Sequence, residues 1–141
     1  MSLPDPSPDI AQVLAGYPAR VSKRLYQVRR IVLTTAKGLD IGEVIETLKW
    51  NEVAYLPARS GIGSTLRMGF NPKTPDHYCL YVHCGTSLIE MAKTLFPELT
   101  YEGNRGIAFA VAEPPPRDIL AMLTEMTLTY HRNKRKNVAP A

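Results

Sequence analysis

The 141-residue sequence predicts an α+β domain of two layers: an antiparallel sheet of about five strands with N- and C-terminal helices packed on one face. Three observations lead there. Apolar stripes at helical spacing open and close the chain, Val21, Leu25, Val28 and Val32 near the start and Ile119, Leu123, Met126 and Tyr130 near the end. Between them lie segments that alternate apolar and polar residues, as strands with one packed face do. The most strand-like of these, residues 77–84, is dense in aromatic and β-branched side chains and holds no Gly or Pro. Helices gathered on one side of alternating strands make a two-layer domain.

The elements follow in order. Residues 1–8 read as a mobile Pro-rich arm, 9–133 as one domain and 134–141 as a basic tail. Ser7 has the place of an N-cap before Pro8, and a helix over about 8–15 buries Ile10, Val13 and Leu14. A second helix over about 18–37 carries the first stripe, with Lys23, Arg30 and Lys37 repeating every seven residues on its other side. Val44, Ile45 and Leu48 suit one or two helical turns, residues 53–56 a short strand stopped by Pro57, and 60–64, with two glycines, a flexible connection. Residues 65–70 and 77–84 then form a central hairpin around the turn-rich 71–76. Its alternation sends Leu66, Met68, Phe70, Tyr78, Leu80, Val82 and Cys84 to one face. Arg67, His77, Cys79, Tyr81 and His83 go to the other.

Further on, Ser87 and Glu90 form a capping-box pattern ahead of a helix with Leu88, Met91, Ala92 and Leu95 on one side. Residues 100–102 make a short strand, 103–106 a tight turn, and 106–112 a strand with Ile107, Phe109 and Val111 inward. Pro114 to Pro116 end that strand and start the last helix.

Composition sets broad bounds. A chain of this length buries roughly 65–70% of its unfolded surface and folds without staples. The net charge of +4 is mildly basic and permits anionic partners without demanding them. Cys79 and Cys84, five apart in one strand, point to opposite faces, so reduced thiols are expected. No signal-peptide pattern and no long apolar run is present, and the expectation is a soluble cytoplasmic protein, monomer or homodimer, without a membrane partner. No cofactor is predicted.

Several constellations carry chemistry. His77 and Cys79, at i and i+2 with His83 beyond, offer thiolate and imidazole to a metal, but no third or fourth ligand is adjacent, and a plain polar sheet face is the simpler reading. Cys84 and His83 are neighbours, yet a strand sends them to opposite faces, so Cys84 reads as a small buried hydrophobe. Residues 60–64 lack the spacing of a phosphate-binding loop. Trp50, Tyr55, Arg67, Tyr81, His83 and Arg105 are the candidate ligand-binding set on the polar sheet face, with aromatic walls and arginine anchors for an anion. Lys23, Arg30 and Lys37 are a candidate anion-docking stripe. Any nucleic-acid binding there is expected to be weak, phosphate-driven and salt-sensitive.

At residues 48–55, Leu-Lys-Trp-Asn-Glu-Val-Ala-Tyr, the chain resembles the YdhG-like family, an uncharacterised group whose pattern is approximately Lys-Trp-Gly-x-Pro-x-Tyr. Lys49, Trp50 and Tyr55 match, while Asn51 and Val53 stand where the family has Gly and Pro. The resemblance covers about residues 9–131 and implies helices on one face of an antiparallel sheet. Some members are thought to be iron chaperones resembling frataxin, which implies a metal-chaperone alternative. Hard cations prefer oxygen ligands, and no Asp or Glu lies between Asp9 and Asp40, so no specific iron site is expected on the second helix. The preferred reading is a non-enzymatic binding protein whose polar sheet face takes a small ligand or a protein partner. An enzyme with its site on that face is the last alternative.

Overall fold

A computed structural model describes residues 3–137, with side chains described through 134. Apart from the helical backbone through 137, the predicted basic tail lies outside the described residues. The elements run α1 (Pro8–Ala15), α2 (Ala19–Gly38), β1 (Val44–Lys49), β2 (Glu52–Pro57), β3 (Leu66–Gly69), β4 (His77–Tyr81), α3 (Leu88–Leu95), β5 (Thr100–Glu102), β6 (Gly106–Ala110), α4 (Arg117–Leu128) and α5 (Tyr130–Asn137). Among the described residues the strands form one open antiparallel sheet of six, in the order β1-β2-β3-β4-β6-β5. Among them no helix is long and apolar enough to cross a membrane.

The predicted stripes form the core. Val21, Leu25, Val28 and Val32 of α2 are all buried and pack with Leu66, Met68, Tyr78, Leu80, Ile107 and Phe109 from the sheet and with Val82 and Val111 just past the ends of β4 and β6. Each fully buried aliphatic side chain contributes about 1.5–3 kcal/mol relative to exposure. Phe70 is half-buried at the edge of this cluster, edge-on to Tyr17 at 6.1 Å. The hairpin β3–β4 sits at the middle of the sheet, and Val82 is buried while His83 is exposed, as the alternation requires.

The sheet has six strands because residues 44–49, expected to turn helically, form β1. Val44, Ile45 and Thr47 are β-branched and favour extended backbone. Gly42, at φ +74°, turns the chain just before them. A two-residue turn then joins β1 to β2, with Lys49 opposite Glu52. Its residues, Trp50 (φ 54°) and Asn51 (φ 60°), are both left-handed, the geometry of a type I′ hairpin. Asn tolerates this; Trp does so at a cost of about 1–2 kcal/mol.

Four further expectations are corrected. Residues 60–64 are pinned rather than free: Ser64 N donates to Thr127 O (2.8 Å) and Arg132 N to Ile62 O (2.9 Å). Ser87 does not cap α3; its hydroxyl meets the Tyr130 hydroxyl at 3.2 Å, and α3 buries Leu88, Ile89 and Ala92 while Met91 and Leu95 are exposed. The last helix breaks at Thr129 into α4 and α5. Cys84, past the end of β4, is exposed, not buried.

One polar network lies inside the fold. Arg29 is 6% exposed and donates through Nε to Glu46 Oε2 (2.8 Å) and through a terminal nitrogen to Glu46 Oε1 (3.2 Å) and Pro4 O (2.8 Å). The Tyr55 hydroxyl donates to the same Glu46 Oε2 at 2.8 Å. One carboxylate thus holds α2 to β1 and β2, and Arg29 ties the described part of the N-terminal arm to α2.

Candidate functional site

All five helices lie on one side of the sheet, and the other face carries no element among the described residues. The strand pairing decides what stands there. One row across this face runs Ala54, Arg67, Tyr81, Gly106, Glu102. The next holds Gly69, Cys79, Ala108 and Thr100, with Glu52 reaching over Gly69. Large polar side chains therefore alternate with very small ones. Ala54 and Cys79 have no exposed surface and Ala108 only 7%, although no described helix covers them.

The glycines explain how the large groups lie down over the small ones. A methyl group at Gly69 would sit 2.5 Å from Glu52 Oε2, and one at Gly106 3.1 Å from Glu102 Cβ and 3.4 Å from Tyr81 Cδ1. Glycine inside a strand marks a close approach; here the approaching groups are the site's own carboxylate and phenol. Glu52 Oε1 accepts from Arg67 at 3.3 Å, and the Arg67 guanidinium stands 5.9 Å from the Tyr81 ring centroid.

The electrostatics follow from this half-buried packing. Burial raises the Glu52 carboxyl above the usual range, with Arg67 and Arg105 pulling it back. Burial pushes the Cys79 thiol up to about 11, opposed by neighbouring Tyr81 and reinforced by Glu102 and Glu52. At that value the unliganded Cys79 thiol is neutral at physiological pH and is not an activated nucleophile. Burial likewise raises the Tyr81 phenol, with Cys79 and Glu102 adding to it.

The candidate set divides. Arg67 and Tyr81 meet on the open face, and exposed Arg105, in the β5–β6 turn, adds its charge near Glu52. Three members do not join them. Trp50 sits at the tip of the β1–β2 turn, 87% exposed, because its left-handed backbone takes it out of the strand alternation. Tyr55 faces the helices and is fully buried, since it pairs with Leu66 and shares that residue's side of the sheet. His83 lies beyond the end of β4, where its Nδ1 accepts from Gly85 N at 2.9 Å.

The metal candidates do not converge either. Cys79 is sealed, His77 half-buried and His83 out in the loop. Among the described residues no group of three His, Cys, Asp or Glu is placed to hold a metal ion. Lys23, Arg30 and Lys37 are all exposed on α2. Two other cations of that helix are committed internally, Arg29 to Glu46 and Arg24 to Val111 O (2.8 Å) and Gln27 (2.9 Å).

Glu52 and Glu102 were missed, because neither belongs to an aromatic or basic pattern. The signal that finds them is the pair of glycines inside predicted strands, opposite polar residues. The chain matches no protein-family model, no curated protein and no solved structure.

A carboxyl raised by folding binds protons more readily in the folded than in the unfolded chain. Its contribution to stability therefore falls as pH rises through the carboxylate range. Glu52→Gln mimics the protonated group. The variant is expected to gain stability relative to wild type between about pH 4 and pH 7 in urea titrations. A relative loss over that interval would mean that Arg67 and Arg105 outweigh burial.

Proposed function

We propose that the protein is a non-enzymatic binding protein and that the open sheet face takes a small polar ligand. The observation that supports this most is the bed of buried small residues under Glu52, Arg67 and Tyr81 on a face that no described helix covers. A sheet face that meets only water has no need to hold a carboxylate half out of solvent, at a cost in stability, over a glycine shaped to receive it. The ligand class follows from the groups: an anionic portion to pair with Arg67 and a flat or aliphatic portion to lie against Tyr81. The YdhG-like resemblance is compatible with this reading and supplies no chemistry for it. The raised Glu52 carboxyl favours a second reading, proton transfer to or from a molecule bound on the same face.

Native mass spectrometry of the protein purified from its own cells tests the first reading. Wild type is expected to carry a small-molecule mass in substoichiometric or full occupancy. Arg67→Gln should lose it. Gly69→Ala should lose it too, while remaining folded, because the added methyl group displaces only the end of a flexible side chain. An adduct retained in both variants, or none in wild type, would count against the open face. Turnover of the bound molecule by wild type and not by Glu52→Gln would favour the second reading.

A further inference from the structure

On the helical side of the molecule, residues of the N-terminal arm, α2, the segment before α4 and the start of α4 line a cleft of about 630 Å³. That is within the size range of small-molecule sites, roughly 300–1,000 Å³. Arg30 of α2 and Arg117 of α4 both line it. Gln27, Thr34 and Thr35 add an amide and two hydroxyls, and Leu3 and Ile31 give it an apolar wall. Among the described residues no carboxylate lines the cleft, although Glu113 and Asp118 flank the segment that leads into α4.

Among the described residues neither guanidinium group has a hydrogen-bond or ion-pair partner. Among the described residues the ion pairs join Arg29 to Glu46 and Arg67 to Glu52, and neither Arg30 nor Arg117 takes part in one. This contrasts with Arg24 and Arg29 on the same helix, whose forks are spent inside the fold. Two arginines that line one cleft from separate helices, with polar side chains and no described carboxylate beside them, form a concave region of positive potential. Each fork offers paired N–H groups matched to phosphate or carboxylate oxygens. The donor count separates these two. Two forks, two hydroxyls and an amide exceed what a carboxylate's two oxygens accept, whereas the three terminal oxygens of a phosphate monoester accommodate them.

We infer that this cleft binds a phosphate monoester carried on a small apolar body, the phosphate between Arg30 and Arg117 and the body against Leu3 and Ile31. The site is separate from the open sheet face and does not depend on it. Of the stripe Lys23, Arg30 and Lys37, only Arg30 belongs to this cleft.

The test is a titration of the full chain with phenyl phosphate at low and physiological salt, followed by amide NMR shifts. Inorganic phosphate, phenol and benzoate run alongside. Shifts are expected in residues 27–35 and 114–121, with affinity ordered phenyl phosphate above inorganic phosphate and benzoate, and phenol weakest. Arg30→Gln/Arg117→Gln exchanges two exposed side chains and is expected to stay folded and lose about tenfold or more in affinity. Lys23→Gln, which removes a charge on α2 away from the cleft, should change affinity by less than about twofold. Shifts that map elsewhere, or no binding by wild type, would overturn the site. Equal loss from Lys23→Gln would reduce it to general attraction by a basic helix. Benzoate binding as tightly as phenyl phosphate would overturn the phosphate assignment.

Discussion

Glu46→Ala is expected to cost about 3–5 kcal/mol of stability, because it strips the partner from a buried charge. For a domain of this size that lowers Tm by roughly 10 °C or more. Glu46 accepts from Arg29, only 6% exposed, and from the Tyr55 hydroxyl, wholly buried. Removing the carboxylate leaves a guanidinium satisfied only by the Pro4 carbonyl and a phenol with no acceptor. Desolvation, not the lost attraction, dominates the loss, and this yields a second expectation. The double variant Arg29→Met/Glu46→Leu removes both charges together and should cost less than Glu46→Ala alone. Thermal and urea unfolding of the three proteins decide it; a Glu46→Ala loss under about 1 kcal/mol would mean that water reaches the pair.

Gly63→Ala is expected to cost about 3 kcal/mol by overpacking. A methyl group there would lie 1.9 Å from Leu128 O and 2.3 Å from Leu128 C. Those are main-chain atoms at the end of α4, so no side-chain rotation relieves the clash. Neither segment can withdraw without breaking the hydrogen bonds from Ser64 N to Thr127 O and from Arg132 N to Ile62 O. Gly38 is the control: a methyl group at that helix end meets nothing within 4 Å, so Gly38→Ala should be neutral or stabilising by up to about 1 kcal/mol. Equal, small effects from the two substitutions would show the 60–64 segment to be loosely held.

Gly63 also marks where sequence reading reached its limit. A glycine that allows flexibility and a glycine that allows close approach look alike until the partner is known, and Leu128 is far along the chain. The long periodic elements were legible because burial on one face forces the period: the stripe of α2 and the alternation of β3, β4 and β6 are packing written into sequence. β1 was not, because its turn is Trp50-Asn51 in place of the usual Asn-Gly, and because Val44, Ile45 and Leu48 fit a helical turn as well as a strand. Arg29 falls outside the apolar stripe, and only its distant partner Glu46 makes it an interior residue. In the candidate site, alternation placed Arg67 and Tyr81 on the open face. Tyr55 went to the wrong face because the register of β2 was set by a turn that could not be seen. Cys79, on the polar face by alternation, is sealed by the larger groups around it.

The open face meets its most direct test in amide NMR of the isotope-labelled protein titrated with the small-molecule fraction of its own cells. Saturable shifts are expected in β2, β3, β4 and β6 around Ala54, Arg67, Gly69, Tyr81 and Gly106, and their loss in Arg67→Gln. A fraction that leaves those residues unmoved while shifting amides of α2 and α4, or that moves nothing, would contradict the open sheet face as the binding site.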